Sequence, residues 1–172
     1  TAGCEFLSRG RLNHPGHRLG TEISTDSHLY YGVYGFSVPK NGLVEGDIPL
    51  RGAHINIEVY IRSDVSGKGN YEVKAHNLMP QYNLEMLPAQ PFATTYCPQM
   101  GYDTEKKMDV CIFQTLRFDD ANPVIMEVYQ PSGDTFQFEL QRYMVENEIT
   151  VNNKNEATVP ILLEYSDLGV VI

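Results

Sequence analysis

From residue 28 onward, apolar and polar side chains alternate with the period of two that a half-buried strand requires. Residues 53–62, "AHINIEVYIR", show it most clearly. Ile55, Ile57, Val59 and Ile61 share one face, and His54, Asn56, Glu58, Tyr60 and Arg62 share the other. The turn "SDVSGKGN" ends this strand, and "YEVKAH" resumes with Tyr71, Val73 and Ala75 on one face. The two runs read as a hairpin. Further strands are expected over 108–118, 124–130, 135–144, 148–152 and 157–165, separated by "DDANP", "PSGD" and "NKNE". Phe136, Phe138 and Leu140 fall on one face, as do Ala157, Val159, Ile161, Leu163 and Tyr165. Pro160 has the opposite parity, which suits an edge position or a bulge.

Two stretches depart from this pattern. Residues 77–107 hold four prolines and no sustained period, with room for short strands around 81–87 and 93–97. Residues 1–26 show neither a strand nor a helix period and read as an extended N-terminal arm without regular structure. With no amphipathic helix and about eight or nine strands, residues 27–172 are expected to form one all-β domain. An antiparallel sandwich, jelly-roll or Ig-like, fits them.

The strand expected at 28–38, "HLYYGVYGFSV", is apolar or aromatic on both faces. Tyr30, Gly32, Tyr34, Phe36 and Val38 alternate with Leu29, Tyr31, Val33, Gly35 and Ser37. One sandwich core covers one face of a strand. The other face calls for the arm, a second chain or a ligand. The apolar end "LGVVI" calls for a partner as well, because an apolar strand end readily adds to a sheet edge. The expected assembly surface therefore comprises Tyr30, Tyr34 and Phe36 with Val170, Val171 and Ile172. Its strong alternative is that the end of the chain is the last strand of its own sheet.

A chain of 172 residues, 42% apolar and 20% charged, can bury a sizeable core. Thirteen basic against 22 acidic residues give a net charge of −9, which repels phosphate backbones and argues against nucleic acid. The arm runs the other way: Arg9, Arg11 and Arg18 face only Glu5 in its first twenty residues. These arginines are candidate contacts to a neighbouring subunit, and a solvated tail is at least an equal alternative. No apolar run is long enough to span a membrane as a helix. The opening "TAGC" resembles the small-residue run before a lipoprotein cysteine, but the cysteine is Cys4, and an ordinary N-terminus is the expectation.

Candidate chemistry is sparse. Cys97 and Cys111 can pair across the loop between them, leaving Cys4 over; three reduced thiols is the equal alternative. "HPGH" sets His14 and His17 around a Pro-Gly that removes helical ligand geometry, and no third ligand is identifiable. His54 and His76 fall on polar faces of neighbouring expected strands and read as a solvated pair. Asp64 and Asp119-Asp120 sit in turns, where aspartate bonds its own backbone. No nucleophile elbow, zinc motif, phosphate loop or dinucleotide fingerprint occurs. No enzyme, metal or cofactor is expected.

One resemblance is carried by "RGAHINIEVYIRS", "EVKAH", "YCPQMG" and "SGDTFQFEL". Over residues 51–145 this layout resembles the MD-2-related lipid-recognition sandwiches, which also place a Cys-Pro…Gly step before their last strands. It implies a lipid or small molecule held between two sheets. The chain lacks that family's paired cysteines and continues with strands after 145.

These readings converge on a protein that binds rather than catalyses. The leading expectation is a structural or assembly subunit, such as a virion coat or surface-filament component, contacting copies of itself or another subunit. A lipid or small-molecule carrier and an adhesin or carbohydrate-binding module are the alternatives. A virion or cell-surface setting fits better than the cytoplasm.

Overall fold

The computed structural model describes residues 6–7, 11–13, 29–63, 69–79, 81–83, 94–118, 123–151, 157–166 and 169–172, with 6–7 and 11–13 described by their backbone alone. In chain order the elements are β1 (Phe6–Leu7), β2 (Arg11–Asn13), β3 (Tyr30–Tyr31), β4 (Arg51–Gly52), β5 (His54–Ser63), β6 (Glu72–Leu78), β7 (Gln81–Asn83) and β8 (Thr94–Tyr96). They continue with β9 (Gly101–Asp103), β10 (Met108–Leu116), β11 (Ile125–Tyr129), β12 (Thr135–Glu139), α1 (Leu140–Glu146), β13 (Ala157–Ser166) and β14 (Gly169–Val171).

Two sheets face each other. One is five-stranded in the order β14-β13-β5-β10-β9, and the other is four-stranded, β12-β11-β6-β8. The period of two fixes what lies between them. Ile55, Ile57, Val59 and Ile61 from β5, Val159, Ile161 and Leu163 from β13, and Cys111 and Phe113 from β10 face inward. They meet Val73, Ala75, Met126, Val128 and Tyr96 from the opposite sheet, and all are buried. Each large aliphatic side chain withdrawn from water contributes on the order of 1.5–3 kcal/mol. These side chains occupy the inter-sheet space that a lipid carrier would keep open.

The sandwich matches the expectation, but its wiring differs in four places. First, the expected hairpin of 53–62 with 71–76 does not form. β5 pairs with β10 and β13, whereas β6 pairs with β11 and β8 in the other sheet. Both runs have one apolar face, and the intervening turn is long enough to cross the ~10 Å between packed sheets. Second, β13 runs parallel to β5, from Ala157 opposite Ile55 to Tyr165 opposite Ser63, so the five-stranded sheet is mixed. β14 flanks only Glu164–Ser166 of β13. Pro160 therefore lies in a stretch bordered by β5 alone among the described residues, and its carbonyl accepts from the Tyr143 hydroxyl at 2.8 Å.

Third, the strand expected over 135–144 stops at Glu139, and the chain turns into α1. "LQRYMVE" carries mostly good helix formers, and its i, i+4 pair Leu140 and Met144 is buried. The Leu140 N–H donates to the Val124 carbonyl at 2.9 Å, which ties the helix start to β11. At the far end the Ile149 N–H returns to the Met144 carbonyl at 2.8 Å. Residues 148–151, expected to begin a strand, are not one; Ile149 and Val151 pack against the core. Phe136 and Phe138 also pack there but are only partly buried. Fourth, the N-terminal segment contains regular structure: β1 pairs with β2, and β2 pairs with β7 through Arg11 opposite Asn83.

Candidate interaction surface

A second, small buried cluster lies at the His54 end of β5. Leu29, Ala53, Tyr82 and Leu116 are buried together, with Tyr31 against them. The Tyr82 hydroxyl donates to the Ala53 carbonyl at 2.7 Å and accepts from the Arg117 N–H. The buried Arg117 guanidinium donates to the Gly52 carbonyl at 3.0 Å. His54 Nδ1 lies 3.3 Å from the Leu29 nitrogen and 3.1 Å from its carbonyl oxygen, so either tautomer bonds the Leu29 main chain. The Ala53 N–H donates to the Leu29 carbonyl at 2.8 Å. Leu29 and Ala53 are thus clamped side by side, and β3 pairs with β4, Tyr30 opposite Gly52 and Tyr31 opposite Arg51.

Beyond this root, residues 32–50 leave the sandwich as a ribbon folded back on itself. A Cβ on Gly32 would come within 2.6 Å of the Ile48 side chain and 2.7 Å of the Pro49 carbonyl. One on Gly46 would come within 2.6 Å of the Tyr34 hydroxyl. The backbone contact at Gly32 leaves no room for a side chain where the arms approach. Lys40 and Asn41 form the turn at the tip. Eight side chains of the ribbon are apolar and exposed: Val33 (80%), Tyr34, Phe36 (62%), Val38 (73%), Leu43 (81%), Val44, Ile48 and Leu50. Tyr34 and Phe36 stack at 6.2 Å. The ribbon carries only Lys40, Glu45 and Asp47 as charges. On folded proteins in general, large exposed apolar surfaces are associated with interaction sites.

The other sequence candidates are placed as follows. Tyr30 is at the root, edge-on to the His54 ring at 5.8 Å, and Tyr34 and Phe36 are on the ribbon. Among the described residues of the aromatic stretch, only Tyr30–Tyr31 is a strand. Val170 and Val171 are in β14, so this part of the chain forms the last strand of its own sheet. β14 lies at the Ser63 end of β5, whereas Tyr30 packs at the His54 end. Ten residues of strand at ~3.3 Å each separate them by roughly 30 Å. The structure therefore divides the expected single surface in two. Arg11 is in β2, and Arg9, Arg18, Cys4, His14, His17, Asp64 and Asp119-Asp120 lie outside the described residues.

Cys97 and Cys111 are not joined in a disulfide. Cys111 is opposite Val59 inside the five-stranded sheet, where burial raises its thiol pKa to about 12. Cys97 follows β8, at the edge of the other sheet. Nor are His54 and His76 a solvated pair, because crossing between sheets separates them. His54 is buried at the ribbon root, and His76 joins a polar network on the outer face of the four-stranded sheet. There His76 Nε2 lies 2.9 Å from Glu127 Oε2, and the Tyr129 hydroxyl donates to the same oxygen at 2.7 Å. Among the described residues no three His, Cys, Asp or Glu side chains cluster as a metal site would require, and no helix is long and apolar enough to cross a membrane.

Residues 12–172 match the family of fimbrillin-A associated anchor proteins Mfa1 and Mfa2. The chain belongs to this fimbrial anchor family. Sequence comparison with curated proteins finds no match. Solved structures with the same fold include a candidate adhesin from Bacteroides ovatus (TM-score 0.61, 13% identity), matched over 94% of this chain and 62% of that one. A candidate polysaccharide-binding protein from Bacteroides thetaiotaomicron matches at TM-score 0.63 and 14% identity, over 92% of this chain and 61% of that one. The fimbrial anchor protein Mfa2 from Porphyromonas gingivalis matches at TM-score 0.53 and 17% identity, over 70% of this chain and 43% of that one. The chain thus spans between two fifths and two thirds of the length of these three proteins.

The family is one of surface filaments, which agrees with the surface-filament half of the leading expectation and gives the virion half no support. The family model that matches is that of the fimbrial anchors, not of the MD-2-related proteins whose layout the sequence resembles.

Proposed function

We propose that the chain is a non-enzymatic, cell-surface subunit of the fimbrial anchor type, joined to a neighbouring filament subunit through the ribbon 32–50. The ribbon's exposure is the observation that carries this reading. Eight apolar side chains stand outside both buried clusters, on a backbone whose root is clamped by Tyr82, His54 and Arg117. A rigid root presents the apolar arms in one place, so little ordering entropy is lost on binding. Aromatic rings such as Tyr34 and Phe36 are the side chains that most often dominate protein interfaces.

Deleting 33–48 and joining Gly32 to Pro49 through a short Gly-Ser linker tests it. The two buried clusters lose no residue, so the domain should keep its unfolding temperature. Electron microscopy of cells making the variant should show filaments shed into the medium or absent. Filaments retained in wild-type number and attachment on a folded variant would overturn the proposal.

A further inference from the structure

Asn41 is followed by Gly42, and no other Asn-Gly pair occurs in the sequence. The pair stands at the tip of the ribbon, where Lys40 and Asn41 form the turn and residues 40–42 are all exposed. A Cβ on Gly42 would come within 2.8 Å of Pro39 Cγ. The reversal thus favours glycine at 42, because the main chain closes onto the proline ring there. The same choice leaves the Gly42 nitrogen with no side chain to shield it.

That nitrogen lies next along the chain from the Asn41 side-chain amide, and the two can react. Attack of the Gly42 main-chain nitrogen on Asn41 Cγ closes a succinimide ring. A nitrogen–carbon bond forms and the Cγ–Nδ2 bond breaks. The amide nitrogen leaves as ammonia, taking the proton that the Gly42 nitrogen gives up. Water then adds to either ring carbonyl and opens the ring to aspartate or isoaspartate. Water is the one co-reactant, and no oxidant or reductant takes part.

The step needs a side-chain amide free to turn, a following N–H that is not bonded elsewhere, and little bulk on the next residue. Among the described residues neither the Asn41 amide nor the Gly42 N–H makes a hydrogen bond. Other asparagines are held. Asn56 Oδ1 accepts from Gln114 Nε2 at 3.1 Å within the sheet. The Asn77 amide donates to the Pro123 carbonyl at 3.1 Å, and the Asn147 amide donates to the Tyr143 carbonyl at 2.9 Å. Each of the three precedes a residue with a full side chain, Ile57, Leu78 or Glu148.

We infer that Asn41 is a site of spontaneous deamidation, an age-dependent covalent change at the tip of the ribbon. It adds a carboxylate to Glu45 and Asp47, against the single cation Lys40. In its isoaspartate form it also routes the main chain through the side chain, which lengthens the turn by one methylene. Both changes alter the exposed end of a largely apolar ribbon, whatever partner the ribbon meets.

The whole folded chain would be incubated in warm, mildly alkaline buffer made with heavy-oxygen water, beside a synthetic peptide of residues 38–46. Peptide mapping by mass spectrometry would read ammonia loss and heavy-oxygen uptake at each asparagine, and isoaspartyl methyltransferase would report the isoaspartate. Asn41 should convert at least about tenfold faster than Asn56, Asn77 or Asn147, which must first release a bond. Its rate in the folded chain should lie within about tenfold of the peptide's. The reaction should quicken as pH rises and be lost in Asn41→Gln. Asn41 converting more than about tenfold slower than the peptide would mean that the folded tip holds the two groups apart, and would overturn the inference. So would conversion of Asn56, Asn77 or Asn147 at the rate of Asn41.

Discussion

The Tyr82 hydroxyl sits between the Ala53 carbonyl, to which it donates at 2.7 Å, and the Arg117 N–H, from which it accepts. Burial raises the phenol's pKa, so it stays protonated and remains a donor. One side chain from a three-residue strand thereby joins β5, the end of β10 and the ribbon root. Tyr82→Phe keeps the ring and strands both backbone groups in a buried site. The expected cost is about 1–3 kcal/mol, read as a lower midpoint in urea unfolding with an unchanged slope. A loss near zero would mean that the root does not depend on this bond.

The Glu127 carboxyl is held down to about 2 from its ordinary 4.5, first by the Tyr129 hydroxyl and then by His76 and Gln137, against the opposing effect of burial. A carboxyl that ionises more readily folded than unfolded stabilises the fold above its unfolded pKa and loses that contribution as pH falls. Stability should therefore decline between about pH 4.5 and about pH 2. Glu127→Gln should flatten that part of the profile in thermal unfolding scans. An equally steep profile in the variant would assign the acid sensitivity to other groups.

The period of two made most of the core legible in advance. Ile55, Ile57, Val59, Val159, Ile161 and Leu163 are all buried as the alternation implies, whereas Phe136 and Phe138 are only partly buried and Leu140 is buried as the first residue of a helix. Which strand pairs with which was not legible, because β5 and β6 would show the same alternation as a hairpin or in opposite sheets. The parallel pairing of β13 with β5 joins residues about a hundred positions apart, and no local pattern records it. The ribbon was legible as two-faced apolarity, though not as a ribbon: an apolar stretch reads as strand whether or not a sheet receives it. Its root residues, Tyr82 and Arg117, carried no signal, since Tyr82 stands in a proline-rich stretch without period.

Phe113 and Phe138 separate full from partial burial. Phe113 is 1% exposed in the centre of the core, and Phe138 packs at its margin against Phe136 and Tyr143. Phe113→Ala should cost about 3–5 kcal/mol, and Phe138→Ala clearly less. Equal losses in denaturant unfolding would place the two rings in the same environment and contradict the described packing of β12.

The most direct test of the account is contact at the ribbon itself. A photo-crosslinking amino acid would replace Phe36 on the ribbon or, in a second variant, Ile112, an exposed residue of β10. Each would be irradiated on intact cells that display the filaments, and adducts would be identified by mass spectrometry. The account predicts a filament-subunit adduct from Phe36 and none from Ile112. Filament adducts from Ile112 alone, or none from either site on cells with attached filaments, would contradict it.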